Sequence, residues 1–157
     1  MRQIIAVLCF LLAGAPGILA QAPDPNRQAA VAPVHRLFDA MRKGDSAGVR
    51  AAFHPRALLA TATVRQGVPS VEVDTLDAFV RAVGTPHDEV WDERVLSEKV
   101  EIDGPLASVW TEYAFYAGDK FSHCGVDAFQ VAQTPEGWRI IALTDTRRRE
   151  RCREKSK

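Results

Sequence analysis

Apolar residues recur at helical spacing near the start of the chain. Between residues 29 and 43 they stand three or four positions apart, as on one face of an α-helix: Val31, Val34, Leu37, Phe38 and Met41. Pro33 fits only a first turn, so regular helix is expected from about Ala32. Gly44 is suited to end this helix, and Asp45 to cap a second helix over residues 46–53.

The later pattern is typical of strands. A strand pair is predicted over residues 57–64 and 69–73, and a third helix over residues 76–83, capped by Asp74 or Thr75. Four long strands follow, over residues 91–102, 106–117, 121–134 and 138–148. Helices early and strands late predict an α+β fold, with the helices packed on one face of an antiparallel sheet.

Two tight turns determine which side chains share a face of the late strands. If Gly118-Asp119 and Pro135-Glu136 are two-residue loops, alternation groups polar and apolar side chains on one face. These are Trp110, Glu112, Tyr116, Phe121, His123, Asp127, Phe129, Trp138, Ile140 and Thr144. Ionisable groups on a mostly apolar face predict a lined pocket, although a one-residue bulge would exchange part of this set.

Three members of this face are candidate catalytic residues: Asp127, His123 and Glu112. Burial among aromatic rings raises the pKa of a carboxyl group, which suits general acid/base chemistry near neutral pH. The alternative for Asp127 is a structural role, with its oxygens satisfied by Thr144 or a helix amide.

Further residues are candidate ligand contacts. Trp110, Tyr116, Phe129 and Thr144 share the predicted face, and His35 lies on the first helix near the expected pocket mouth. The histidines and cysteines show no metal-ligand spacing, and no glycine-rich phosphate loop is present, so neither a metal nor a cofactor is predicted.

The first twenty residues have the three-part pattern of a secretory signal peptide. Arg2 precedes an apolar run over residues 4–12, and cleavage is predicted after Ala20. The alternative is an uncleaved anchor, for which the apolar run is short. The predicted organisation is a signal peptide over 1–20, a linker over 21–28, one domain over 29–148 and a basic tail over 149–157. Export to the periplasm or medium follows, without stable membrane insertion after cleavage.

Charge limits the classes of partner that the chain is expected to bind, and the cysteine content predicts a disulfide. The whole chain is balanced at 20 basic and 20 acidic residues, but its last eleven residues hold seven basic and two acidic side chains. A short exported basic tail on an acidic domain does not indicate nucleic-acid binding. Cys124 and Cys152 remain after export and are predicted to form a disulfide, the alternative being two unrelated thiols.

Three strings carry a resemblance to a known superfamily: VHRLFDAMRKGDSAGVRAAFHP over 34–55, VDTLDAFVRAVG over 73–84, and the strand region over 109–148. The chain resembles the nuclear transport factor 2-like superfamily, in its SnoaL-like and lumazine-binding branch. The resemblance implies a cone-shaped fold, with about three N-terminal helices packed on a strongly curved antiparallel sheet around a pocket. Catalytic relatives place a carboxylate and a hydrogen-bond donor there, roles that Asp127 or Glu112 and His123 or Tyr116 would take.

Three functions therefore stay open. The first is an exported domain that binds a small apolar or aromatic molecule. The second is a cofactor-independent isomerase or cyclase-like enzyme that uses Asp127 for proton transfer. The third is a structural module that dimerises through an apolar sheet face. Because both faces of the predicted sheet are largely apolar, a homodimer or a cover from the C-terminal tail is expected.

Overall fold

The computed structural model describes residues 25–153. The predicted signal peptide lies outside the described residues. Three helices and six strands occur in this part of the chain: α1 (Pro25–Lys43), α2 (Ser46–Ala52), β1 (Phe53–Arg65), β2 (Val68–Asp74), α3 (Leu76–Gly84), β3 (Trp91–Asp103), β4 (Leu106–Ala117), β5 (Lys120–Thr134) and β6 (Gly137–Arg148). The predicted α+β fold is confirmed.

Helix α1 begins at Pro25, earlier than the sequence pattern predicts, so the last part of the predicted linker is helical. Pro33 lies inside the helix and is buried. A proline there removes a backbone hydrogen bond. Burial of the neighbouring Val31 and Val34 against the sheet supplies favourable packing that offsets this loss.

The shorter helices begin where side chains cap them, as predicted. The Asp45 carboxylate accepts a hydrogen bond from the Gly48 amide at 2.9 Å, and the Thr75 hydroxyl oxygen accepts one from the Ala78 amide at 3.1 Å. These contacts satisfy helix N–H groups that have no partner within the helix.

The six strands form one sheet in the order β2-β1-β6-β5-β4-β3. Neighbours pair antiparallel except β1 and β6, which pair in parallel. The prediction of a purely antiparallel sheet is therefore wrong at this one pairing. Hairpin turns impose antiparallel pairing on strands adjacent in sequence, whereas β1 and β6 are far apart in the chain and no turn constrains them.

Helices cover the inner face of the sheet, where the core lies. Leu37 and Phe38 of α1 are buried there with Phe129 of β5 and Ile140 of β6. The Phe38 and Phe129 rings meet edge to face with centroids 6.0 Å apart. The helices thus close one side of the sheet and leave a cavity between the two layers.

The outer face of the sheet is partly apolar and open. Large side chains exposed there include Leu58, Val71, Val73 and Trp110. The predicted Cys124–Cys152 disulfide is present, with Cα atoms 5.8 Å apart. It ties the chain after β6 to the outer face, where Arg153 also contacts Glu112 at 2.8 Å. The tail therefore covers part of this face, as expected.

A bulge changes the predicted register between β4 and β5. Pairing begins as predicted at Ala117 and Lys120, but Tyr116 pairs with Phe121 and Phe115 with His123, which leaves Ser122 as an extra residue. Every β4 residue before the bulge therefore faces the side opposite to the predicted one. Asp127 consequently lies opposite Thr111 rather than Trp110.

A second bulge lies between β5 and β6. Val131 pairs with Ile140 as predicted, but Gln130 pairs with Ala142, so Ile141 is extra. Beyond this point the side chains of β6 also lie on the face of the sheet opposite to the predicted one. Asp127 lies opposite Asp145 rather than Thr144.

Candidate functional site

A cavity of about 420 Å³ lies between the helices and the inner face of the sheet. Most of its wall is apolar, and its ionisable side chains come from the strands. The lining residues are Leu37, Phe38, Met41, Leu59, Ala60, Thr61, Asp74, Phe79, Trp91, Glu93, Tyr113, Phe115, Ala117, Ser122, His123, Asp127, Phe129, Leu143, Asp145 and Arg147. Five of the six strands therefore bring ionisable groups into one apolar enclosure.

Two carboxyl groups from different strands meet in this cavity. Asp127 is only 4% exposed, and its side chain is in hydrogen-bonding contact with that of Glu93. The Thr111 hydroxyl donates to Asp127 Oδ2 at 2.9 Å. Because burial penalises the charged form, the pKa of Asp127 is raised to about 7, and the pKa of Glu93 is raised well above its usual range by burial and by Asp127.

A third carboxyl group, that of Asp145, is held differently. It accepts a hydrogen bond from the Thr61 hydroxyl, and Arg147 Nε donates to its Oδ2 at 2.7 Å. Asp145 is therefore a charge-paired carboxylate, whereas no cationic side chain among residues 25–153 forms an ion pair with Glu93 or Asp127. This difference separates a structural ion pair from groups that are able to exchange a proton.

Aromatic rings form one wall of the cavity. Phe115 stacks on His123 with ring centroids 4.9 Å apart, and Trp91 meets Phe115 edge to face at 6.1 Å. His87, from the loop after α3, stacks on Trp91 at 3.8 Å. Burial and the nearby Arg147 lower the pKa of His123, so its imidazole is neutral at neutral pH.

Tyr113 anchors the same wall. Its hydroxyl donates to the Thr146 carbonyl at 2.9 Å, and burial raises the pKa of the phenol. The ring fits here because Gly125, directly opposite on β5, has no side chain: a Cβ at that position would lie 2.8 Å from the Tyr113 ring and hydroxyl. Gly125 therefore creates the space that Tyr113 occupies.

The structure brings three of the predicted site residues to the cavity: Asp127, His123 and Phe129. Their functional roles stay predictions. Phe129 is fully buried and also packs against α1, so it belongs to both the core and the cavity wall.

Five predicted residues lie elsewhere, and their expected position in the pocket is corrected. Trp110 is 53% exposed on the outer face, and Thr144 is exposed there as well. Tyr116 packs under the Arg94 guanidinium, 3.9 Å from the ring centroid. The two bulges account for these errors, because they place the side chains of β4 and of the last part of β6 on the face opposite to the predicted one.

The other two corrected residues make polar contacts at the surface. Glu112 accepts a hydrogen bond from Arg153 at 2.8 Å, and this contact lowers the pKa of the carboxyl group rather than raising it. His35 is exposed on α1 and contacts Glu98 of β3 at 2.7 Å, which directs it away from the cavity lining.

Four important cavity residues were not predicted from the sequence: Glu93, Tyr113, Asp145 and Arg147. The bulges account for Tyr113 and Asp145, because strand alternation without them places both on the face opposite Asp127. Glu93 had a weak signal, since it stands two positions after Trp91 on a strand of mixed alternation. Among residues 25–153, no group of three or more histidine, cysteine, aspartate or glutamate side chains is arranged to hold a metal ion.

Solved structures define the fold class. The chain is similar to a nuclear transport factor 2-like protein of unknown function from Shewanella baltica, at 14% identity and a TM-score of 0.63, over 82% of this chain and 98% of that one. A Streptomyces avermitilis protein described as a "putative dehydratase" of the same family gives 15% identity and a TM-score of 0.60, over 81% and 99%. A "putative ketosteroid isomerase" from Shewanella frigidimarina gives 15% and 0.56, over 74% and 94%. At such identities these likenesses show the fold alone.

A family model assigns the chain to a family within this fold class. The model described as "Putative lumazine-binding" matches residues 25–144, which is most of the chain. The chain therefore belongs to this family, and its fold is that of nuclear transport factor 2-like proteins. No curated protein matches the sequence. No helix within residues 25–153 has the length and apolar character needed to cross a membrane.

Proposed function

We propose that this protein is an exported domain that binds a small, partly apolar molecule in the cavity between its helices and its sheet. The observation that carries the proposal is the combination of a cavity of about 420 Å³, a largely aromatic wall and a few convergent polar groups. Small-molecule sites in proteins are concave, mostly apolar, and contain a small number of polar groups that fix orientation. Membership of a family described as lumazine-binding supports the same proposal.

Blocking the cavity tests this function. Leu143 lines the cavity, and the next residue, Thr144, is exposed on the opposite face of the same strand. Leu143→Trp is expected to fill the space, whereas Thr144→Trp adds the same ring to the outside and serves as the matched control.

The measurement is native mass spectrometry of protein purified from its own host. Wild type and Thr144→Trp are expected to carry a non-covalent small molecule, and Leu143→Trp to have lost it. A molecule retained by Leu143→Trp, provided that variant is folded, argues against binding in this cavity. A wild-type protein without any bound molecule also contradicts the proposal.

Proton transfer is the second candidate function, and the pKa of Asp127 favours it. A carboxyl group with a pKa of about 7 is able both to accept and to donate a proton near neutral pH. Glu93 and Thr111 form hydrogen bonds with the Asp127 side chain and hold it in place. Two proteins of similar fold are described as a dehydratase and a ketosteroid isomerase, which supports this candidate.

Hydrogen exchange next to a carbonyl tests proton transfer without knowledge of the natural substrate. A panel of cyclic ketones is incubated with the protein in D₂O, and deuterium uptake is followed by NMR. Wild type is expected to accelerate uptake for some members, and Asp127→Asn to lower the rate at least about 100-fold. Asp119→Asn, in the exposed β4–β5 turn, is the control. Equal rates for wild type and Asp127→Asn would reject this role.

Export remains part of the proposal. The Cys124–Cys152 disulfide is compatible with an oxidising compartment, because cytosolic thiols are normally kept reduced. Cell fractionation combined with intact-mass analysis tests it. The expected result is protein outside the cytoplasm whose mass corresponds to an N-terminus at Gln21. Full-length protein in the cytoplasmic fraction contradicts export.

A further inference from the structure

We infer that the cavity takes a small cyclic or aromatic molecule that carries a positively charged nitrogen. This inference rests on the proposed binding function and specifies the chemical class of the ligand. Three observations support it: the charge of the cavity lining, the aromatic wall and the contact between two carboxyl groups.

The ionisable groups that line the cavity are mostly acidic. They are Asp74, Glu93, Asp127, Asp145, Tyr113, Arg147 and His123, and burial raises the pKa of Tyr113, which keeps its phenol neutral. Arg147 is engaged by Asp145 at 2.7 Å, and His123 is neutral at neutral pH because burial lowers its pKa. Helices α1 and α3 contribute only apolar side chains to the lining. No lining cation within the described residues is therefore left to balance Glu93 and Asp127.

The aromatic wall suits a cation as well as an apolar ring. Phe38, Phe79, Trp91, Phe115 and Phe129 all contribute to the lining. The face of an aromatic ring carries partial negative charge, so it attracts a desolvated cation and also packs against a flat ligand. An anionic ligand would meet the negative ring faces and the carboxyl groups together.

The two carboxyl groups offer a position for the positive nitrogen. Glu93 and Asp127 are in hydrogen-bonding contact, which requires that one of them holds a proton while the other accepts it. A ligand N–H donor that carries positive charge is able to take the place of this proton. The displaced proton then passes to the solvent, and both carboxylates accept hydrogen bonds from the N–H groups of the ligand cation.

Calorimetry with matched ligands tests the inference. The probes are two sets with the same ring and different charge: tryptamine, tryptophol and indole-3-acetate, and 2-phenylethylamine, 2-phenylethanol and phenylacetate. They are titrated into wild type, Glu93→Gln, Asp127→Asn and the control Glu101→Gln at pH 7. Glu101 is an exposed partner of Lys99 on β3 and lies outside the cavity lining. Thermal melts verify that every variant is folded.

The ammonium member of at least one set is expected to bind at least about 10-fold more tightly than its alcohol, because its N–H groups donate charge-assisted hydrogen bonds to both carboxylates. Either cavity variant is expected to reduce this preference at least about threefold, and Glu101→Gln to keep it. In addition, the binding enthalpy in phosphate and in Tris is expected to differ, because a proton is released to the buffer.

Other results overturn the inference, and they separate it from the proposed function. If the alcohols bind as tightly as the amines and Leu143→Trp blocks both, the ligand is not selected for its charge, yet the cavity is a binding site. If both cavity variants keep the full preference, the carboxyl pair does not select the cation. If no probe binds, the inference fails, and the molecule that co-purifies with the protein decides the proposed function independently.

Discussion

The buried Asp127 carboxyl group makes a specific prediction about stability and pH. Its pKa is about 7 in the folded protein, compared with about 3.9 in an unfolded chain. Between these two values the folded state binds the proton and the unfolded state does not. The contribution of Asp127 to the free energy of unfolding is therefore greatest below pH 4 and is lost as the pH rises to 7.

The size of the effect follows from that difference. About three pH units, at ~1.4 kcal/mol for each unit, correspond to a loss of ~4 kcal/mol above pH 7. Asp127→Asn removes the ionisation while its amide oxygen still accepts from Thr111. Because the amide also donates to Glu93, the variant is expected to be about 2–4 kcal/mol more stable than wild type at pH 8 and about equally stable at pH 4.

Urea denaturation followed by tryptophan fluorescence measures this difference across pH 4–8, with the disulfide kept oxidised. Asp119→Asn, in the exposed β4–β5 turn, removes a carboxyl group from the surface and is expected to change the free energy of unfolding by less than about 0.5 kcal/mol. The reasoning is refuted if Asp127→Asn is less stable than wild type at pH 8. A stability difference that stays constant between pH 4 and pH 8 refutes it equally.

Three further changes test the structure around the site. Gly125→Ala places a Cβ against Tyr113 and is expected to lower the free energy of unfolding by more than about 2 kcal/mol in urea denaturation; wild-type stability would contradict the packing. Cys152→Ser opens a 28-residue loop, and its free energy of unfolding is expected to be about 3 kcal/mol lower than that of wild type in the same assay. Two titratable thiols in unreduced wild-type protein would show that the bridge to Cys124 is absent. Light scattering is expected to show a homodimer that Val73→Lys dissociates, because outer-face valines are exposed; a monomeric wild type would reject dimerisation.

The sequence predicts the helices and strands well because the residues that mark their ends act locally. Gly44, Asp45 and Thr75 mark helix ends, and Gly118-Asp119 and Pro135-Glu136 form turns where they are expected. Each of these signals depends on a few neighbouring residues, so it can be detected without knowledge of the fold.

The face of the sheet on which a side chain lies is harder to predict, because one extra residue in a strand moves the side chains beyond it to the opposite face. Asp127, His123 and Phe129 were assigned to the correct face, since all three lie on β5 beyond the Ser122 bulge. Trp110 was assigned to the wrong face because β4 pairs across that bulge. Ser122 has no sequence feature that distinguishes a bulge from regular strand.

The contact between Glu93 and Asp127 was also beyond sequence reasoning. The two residues lie on strands that are not neighbours, with β4 between them. Whether two side chains meet across an intervening strand depends on the three-dimensional arrangement of the sheet, which has no simple pattern in the sequence. A prediction from strand alternation places both on the inner face at best.

The central claim is that the cavity binds a small molecule. NMR screening of a fragment library against protein with labelled leucine methyl groups tests it most directly, because Leu37, Leu59 and Leu143 line the cavity whereas Leu58 lies on the outer face. The account predicts fragments that shift the three cavity leucines and leave Leu58 unchanged. Fragments that shift only Leu58, or a screen without any binder, would contradict it.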